Sequence, residues 1–315
     1  MAEFETPAVP QAFIWRRVHS LLGLWLVIFL TQHLFVNSQA ALFIGDDGKG
    51  FIQSANFLES LPYLPILEFL ILGLPLLIHT LWGILYLFTA KYNSYGNNGK
   101  TPYLPYSRNK AYTWQRITAW LLVIGIGAHV VHMRFVERPV TVEQGADKYY
   151  LVKVDADPGI HSLAERLNVE LFDQHLIRES SKNGQSPTHT QSNENFTEKK
   201  AQKEFVKKTE NVEALTKTLQ DNEVVAVANN FGTAELLMLR ETFKMPIMLV
   251  LYTLLVLTAV YHAFNGLWTF CISWGVTLNQ RSQKWMLNVS VGLMVLVGIL
   301  GLSAVWLTYW VNLKH

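Results

Sequence analysis

The sequence predicts an all-α membrane protein of five transmembrane helices, with a mixed polar insert on the outer side between the third and fourth. Three observations predict it. Half of the 315 residues are hydrophobic and only 16% are charged, which is more apolar surface than one water-soluble core needs. The apolar residues gather into five runs at about 19–40, 66–90, 113–136, 246–273 and 286–311, each close to the roughly 20 residues that cross a bilayer. One polar stretch, about 138–245, separates the third run from the fourth. The chain therefore divides into an N-terminal part of a membrane bundle (1–137), an extracytoplasmic insert (138–245) and a C-terminal part of the bundle (246–315).

Helix 1 follows some 18 polar residues. Its apolar run exceeds the core of about 7–15 residues found in a cleaved signal peptide, so it is expected to stay as a helix. Arg16 and Arg17 precede it, Lys91, Lys100, Arg108 and Lys110 lie between helices 2 and 3, and Arg281 and Lys284 lie between helices 4 and 5. The loop at about 41–65 has only Lys49 against Asp46, Asp47 and Glu59. The positive-inside rule then puts the N-terminus in the cytoplasm and the C-terminus outside. The near-neutral net charge, +2, offers no basic stripe for nucleic acid. The single Cys271 excludes a disulfide within the chain, a CxxCH-linked haem and an iron–sulfur cluster held by this chain alone.

Within the insert, "KYYLVKVDA" alternates like a strand, "GIHSLAERL" reads as a short helix, and "NVEALTKTLQDNEVVAVANN" as a helix followed by a strand. The stretch around 179–204 is polar and poor in aromatics, and reads as a disordered linker. "TAELLMLRETF" is amphipathic and is expected along the membrane surface. His161, His175 and His189 are scattered among solvated residues and do not compose a metal site.

The informative residues are inside the membrane. His33 lies on helix 1, His79 on helix 2, His129 on helix 3 and His262 on helix 4. A single such histidine is readily explained as a polar group hydrogen-bonded between helices; four on consecutive helices need a joint explanation. Sixteen residues separate Arg17 from His33 and 17 separate Tyr112 from His129, which places both roughly 25 Å from the cytoplasmic end at ~1.5 Å per residue. His79 and Lys91 are 12 apart, as are His262 and Trp274, so that pair sits roughly 18 Å from the same end. Two imidazoles at one depth on different helices are what axial ligation of a haem iron requires. The expectation is two b-type haems, His33 with His129 nearer the outside and His79 with His262 nearer the cytoplasm. Gly73, Gly83, Gly125, Gly127, Ala128 and Gly266 lie beside these positions and leave room for a flat macrocycle. Zinc fits less well, because two histidines without Cys or carboxylate fall short of its ligand set. A proton relay would need more acidic groups at depth than Glu68.

The motifs "RRVHSLLG", "TQHLFVN", "SANFLESLP", "PLLIHTLWGILYLFTAKYN", "WQRITAWLLVIGIGAHVVHMR" and "HAFNGLWTFCISWGVTLNQRSQ" resemble the b558-type cytochrome b subunit of bacterial succinate dehydrogenase, in its single-chain, five-helix, two-haem form. The resemblance covers all five helices, and its haem-ligand positions fall on His33, His79, His129 and His262. It implies a multi-pass anchor in the bacterial inner (cytoplasmic) membrane. Such an anchor binds an FAD-carrying flavoprotein subunit and an iron–sulfur subunit on the cytoplasmic side and passes electrons from succinate to a quinone. The departure is the insert, which is short in the family.

Under that reading Arg17, His19 and Ser20 at the mouth of helix 1, and Arg116 near the start of helix 3, are candidates for contacts to a haem propionate or quinone. Arg17 serves equally as a snorkelling anchor. His132, one turn beyond His129, is a candidate for a propionate of the outer haem or for an interfacial hydrogen bond. Glu68 is a candidate proton donor beside a quinone pocket, or an interfacial carboxylate facing water. Electrons delivered to the outer side move with the membrane potential, by ~2.3 kcal/mol per charge per 100 mV. That favours a low-potential quinone, menaquinone rather than ubiquinone. Two rival classes are a di-haem cytochrome b serving another quinone-linked dehydrogenase, and a haem-free transporter with histidines in its pathway.

Overall fold

The computed structural model describes residues 9–41, 46–96, 98–99, 102–144, 147–172, 219 and 222–313. Among the described residues, five helices are long and apolar enough to cross a membrane: α1 (Gln11–Ser38), α3 (Leu64–Phe88), α4 (Ser107–Val136), α7 (Pro246–Ser273) and a span within α8 (Gln280–Leu313). They match the five apolar runs of the sequence. Their large side chains are bare over long stretches, with Phe88 75% and Ile124 72% exposed. That surface is stable only against lipid. The chain is an all-α membrane protein with a mixed α/β insert.

By contacts the chain forms two compact units. The first comprises residues 1–35, 62–129 and 252–302. In it α1 and α3 run antiparallel along a seam of aromatic and polar contacts. Trp15 stacks on Trp82 at 4.0 Å, the His79 ring stacks on His19 at 4.1 Å, and the Trp25 indole donates to the Ile71 carbonyl at 2.8 Å. Helix α3 is not α-helical throughout: Phe69–Gly73 is a π turn in which the Leu74 amide reaches back to the Phe69 carbonyl. Helices α4 and α7 are tied by amides: Asn265 Nδ2 donates to the Ala111 carbonyl and to Gln115 Oε1, at 3.2 and 2.6 Å. The indole of Trp268 donates to the Gln283 carbonyl of α8 at 3.1 Å.

The second unit comprises residues 36–61, 130–251 and 303–315. Its sheet has the order β1-β2-β4-β3, with every neighbouring pair antiparallel. The strands are β1 (Val140–Gln144), β2 (Asp147–Asp155), β3 (Glu170–Phe172) and β4 (Glu223–Ala228). Alternate residues serve two cores. Tyr150, Val154, Val224, Ala226 and Ala228 face helices α5 (Pro158–Leu167) and α6 (Phe231–Lys244), whereas Leu151, Val142, Val225 and Val227 form the opposite cluster. Both faces of the centre are buried, so β4 reads as a continuous apolar run.

Helix α5 starts where its sequence says. Asp157 accepts from the amides of Gly159 and Ile160, Pro158 occupies the first turn, and Asn168 in the left-handed region ends it. Asp157 does a second job. Buried Arg240 of α6 donates to both of its carboxylate oxygens at 2.6 Å and to Glu241 at 2.6 Å, and Lys244 completes the cluster on Asp155 and Asp157.

Two expectations change here. The segment at 41–65, read as a loop, holds helix α2 (Lys49–Glu59). It packs on α6 so closely that a Cβ on Gly232 would run into the Ile52 backbone, which only glycine allows. Asn56 of α2 donates to Asn230 Oδ1, the cap of α6, and accepts from the Gly232 amide. Helix α6 itself, expected along the membrane surface, is buried over Leu236–Arg240 as well as at Ala234, Thr242 and Phe243. With the sheet on one side and α2 on another, it keeps no open apolar face for lipid. The linker around 179–204, the helix expected in "NVEALTKTLQ" apart from Leu219, and His175 and His189 lie outside the described residues.

Candidate functional site

The first unit brings the four membrane histidines together as two facing pairs. His33 of α1 and His129 of α4 have ring centroids 6.1 Å apart with planes at 73°. His79 of α3 and His262 of α7 are 6.5 Å apart at 86°. With metal–imidazole bonds of about 2 Å and about 1 Å from ring nitrogen to centroid, two imidazoles across one metal atom have centroids about 6 Å apart. Both pairs have that spacing.

Hydrogen bonds decide which nitrogen two of the rings offer. His79 Nδ1 lies 3.0 Å from the His19 carbonyl. A carbonyl only accepts, so Nδ1 carries the proton and Nε2 keeps its lone pair. His262 Nδ1 is 3.2 Å from Thr118 Oγ1. The Thr118 hydroxyl donates to the Trp114 carbonyl at 2.8 Å and also lies 3.1 Å from that of Gln115, so its oxygen accepts from His262 and again leaves Nε2 free. Gln115 adds a bond to the His262 carbonyl at 3.0 Å. His129 Nδ1 sits 3.3 Å from the Tyr252 hydroxyl. Outer-shell partners of this type fix the tautomer and ring angle of ligating histidines.

The donor set suits a cofactor that brings its own equatorial ligands. Among the described residues no group of three or more His, Cys, Asp or Glu side chains is gathered as a metal site, whereas haem iron needs only the two axial positions from protein. A Cβ on Gly23 would meet His79 Cε1 at 3.1 Å, so glycine at 23 lets α1 approach the His79 ring.

The other sequence candidates fall in varied places. His19 stacks on His79 and its buried Nδ1 has no hydrogen-bond partner among the described residues. Arg17 donates to the Ser273 carbonyl at the end of α7 and lies over the rings of Phe13 and Trp274. Ser20 accepts from the Trp274 indole at 3.2 Å. Arg116 donates to the Tyr112 carbonyl of its own helix and covers the Tyr112 ring. Glu68 immediately precedes the π turn of α3. His132 opens the π turn that ends α4 and lies 3.9 Å from Glu137. Arg17 and Ser20 thus join α1 to the end of α7, and Arg116 stays on its own helix. Thr118, Gln115, Asn265 and Tyr252 are the residues that sequence reasoning missed. Their signal was a polar residue inside an apolar run.

Fold and site together define a multi-pass helical membrane protein that holds two facing histidine pairs within its spans. The chain is similar to the succinate dehydrogenase cytochrome b558 subunit of Bacillus subtilis (strain 168), at 26% identity over 297 residues, 94% of this chain and 96% of that protein. The similarity therefore extends over all five spans, as the motif resemblance does. No family model matches the chain, and no solved structure matches it.

Proposed function

We propose that the chain is the di-haem cytochrome b membrane anchor of a succinate:quinone oxidoreductase in a bacterial inner membrane, with its N-terminus cytoplasmic and its C-terminus outside. The observation that carries this reading is the pair of histidine couples, each at the spacing one metal atom needs, on four consecutive spans. The near full-length similarity to the Bacillus subtilis subunit supports succinate dehydrogenase over another quinone-linked dehydrogenase.

In this reading His33 and His129 hold the outer haem b, and His79 and His262 the inner one. Haem bound there supplies one-electron carriage between the cytoplasmic flavoprotein and iron–sulfur partners and a quinone in the membrane. The residues of this chain hold and tune. The His19 carbonyl and the Thr118 hydroxyl set the tautomer of two imidazoles, with the proton on Nδ1 and Nε2 left to the metal. Gln115 and Asn265 lock α4 to α7 beside His262. Succinate itself is oxidised on the partner chains.

Glu68, near the outer end of α3, is the proposed proton donor, since quinone reduction takes up two protons with two electrons. Delivery of electrons on the outer side runs with the membrane potential by ~2.3 kcal/mol per charge per 100 mV, which suits menaquinone. Purification of the complex through a tag on this chain tests the assignment. Flavin- and iron–sulfur-carrying chains are expected to co-purify, with haem bands that succinate reduces. Glu68→Gln is expected to slow quinone reduction while both bands remain. A colourless preparation, or one carrying the subunits of another dehydrogenase, contradicts the proposal.

A further inference from the structure

The π turn of α3 has a cause in the sequence. Proline has no amide hydrogen, and in an uninterrupted α-helix the amide of residue 75 would bond to the carbonyl of Ile71. With Pro75 in place that carbonyl loses the i+4 amide donor of an α-helix, inside a span where no water can serve it. The helix instead forms a π turn over Phe69–Gly73, and the donor for Ile71 comes from another helix: the Trp25 indole of α1, at 2.8 Å.

The bond lies on the same seam that holds His79. Going outward along α1, the contacts are Trp15 with Trp82, His19 with His79, Gly23 with His79 and Trp25 with Ile71. Pro75 is one turn from His79. A π turn adds a residue without adding its rotation, so it resets everything on its outer side by about 100° relative to His79. We propose that Trp25 is a positioning residue: its indole N–H replaces the amide that Pro75 lacks, and this bond holds α3 in the rotational setting that aims His79 at His262.

The effect on haem rests on the function proposed above, and the test separates the two. Trp25→Phe removes the N–H and keeps an aromatic ring. Pro75→Ala gives the backbone its own donor and makes the indole unnecessary. In the purified complex, Trp25→Phe is expected to lower Tm and to shift the midpoint potential of the haem that is lost in His79→Ala, with the other haem unchanged. In a Pro75→Ala background the same change is expected to have little further effect, a coupling that a general packing defect would not show. If Trp25→Phe alone does not accumulate, recovery of the Trp25→Phe/Pro75→Ala chain supports the inference and its failure overturns it. Wild-type Tm and potential in Trp25→Phe, or an equal loss with and without Pro75, also overturns it. If the wild-type chain holds no haem, the proposed function fails and the Tm comparison still decides the role of Trp25.

Discussion

His262 is held by a hydroxyl, and the arrangement shows how little is needed to set an imidazole in a membrane interior. The Thr118 oxygen accepts the Nδ1 proton because its own hydrogen is committed to the Trp114 carbonyl. Thr118→Val keeps the shape and removes the acceptor. Loss of an outer-shell partner typically costs 10–100-fold in metal affinity, so the variant is expected to release the haem proposed for His79 and His262 about that much more readily to a haem-scavenging protein, with the haem proposed for His33 and His129 unaffected. Equal retention of both would remove Thr118 from the site. The four histidines were legible in the sequence because imidazoles are conspicuous in apolar runs, and their depths sort them into the pairs seen. Thr118 was not legible. A threonine inside a helix usually bonds its own preceding turn, and this one does, so its service to His262 appears only when α4 and α7 are side by side. Arg17 was readable as a basic residue at a helix mouth, but its partner, the carbonyl end of α7, lies 256 residues away in the chain.

At the scale of elements, hydropathy located every span and missed the π turns of α3 and α4. Glu68 and His79 are 11 residues apart, within about 20° of one face on a continuous α-helix. The π turn between them moves Glu68 by about 100°, and periodicity alone does not reveal such a shift. In the second unit, β2, α5 and β4 were legible from apolar periodicity. Helix α2 was not read, although Phe51, Ala55 and Leu58 keep helical spacing, because its segment was assigned to a connection between spans. Helix α6 was read as amphipathic and is buried on nearly all sides, so its charged residues are paired or perturbed within the fold. Burial pushes the Glu235 carboxyl up to about 7, against the pull of Arg138 and Arg134 and with Glu59 adding to the rise. A carboxyl whose folded value is raised binds its proton more tightly folded than unfolded. Its cost to stability is absent below the unfolded value of about 4.3, grows as pH rises toward 7, and is full above it. Glu235→Gln is therefore expected to flatten stability between pH 5 and 8 and to gain up to about 3 kcal/mol at the upper end, read as a rise in Tm at pH 8 with little change at pH 5. A gain that does not depend on pH would contradict it. Asp157 behaves in the opposite sense. Burial works to raise its carboxyl, but the hydrogen bonds and charges of Arg240 and then Lys244 outweigh this and hold it below the usual range. Its contribution is present above the unfolded value and is lost as pH falls through the folded one.

Taken as a whole molecule, the chain spends its polar side chains sparingly. Five spans present bare apolar surface, and four of them carry the histidine couples and the polar contacts beside them. The insert folds with its own two-faced sheet and its own buried ion cluster, and it draws on residues 36–61, whose "SANFLESLP" motif supplies Asn56, which bonds the α6 cap Asn230 and the Gly232 amide. Spans and couples follow from hydropathy and histidine depth; the supporting bonds do not, since each joins residues far apart in sequence. The central claim is that each couple grips one haem. Haem-to-protein stoichiometry, with reduced-minus-oxidised spectra of wild type, His33→Ala and His79→Ala, tests it most directly. Two haems per chain are expected in the wild type, with His33→Ala and His79→Ala each losing one and a different spectral component disappearing in each. A wild type without haem, or the same component lost in both variants, would contradict the pairing.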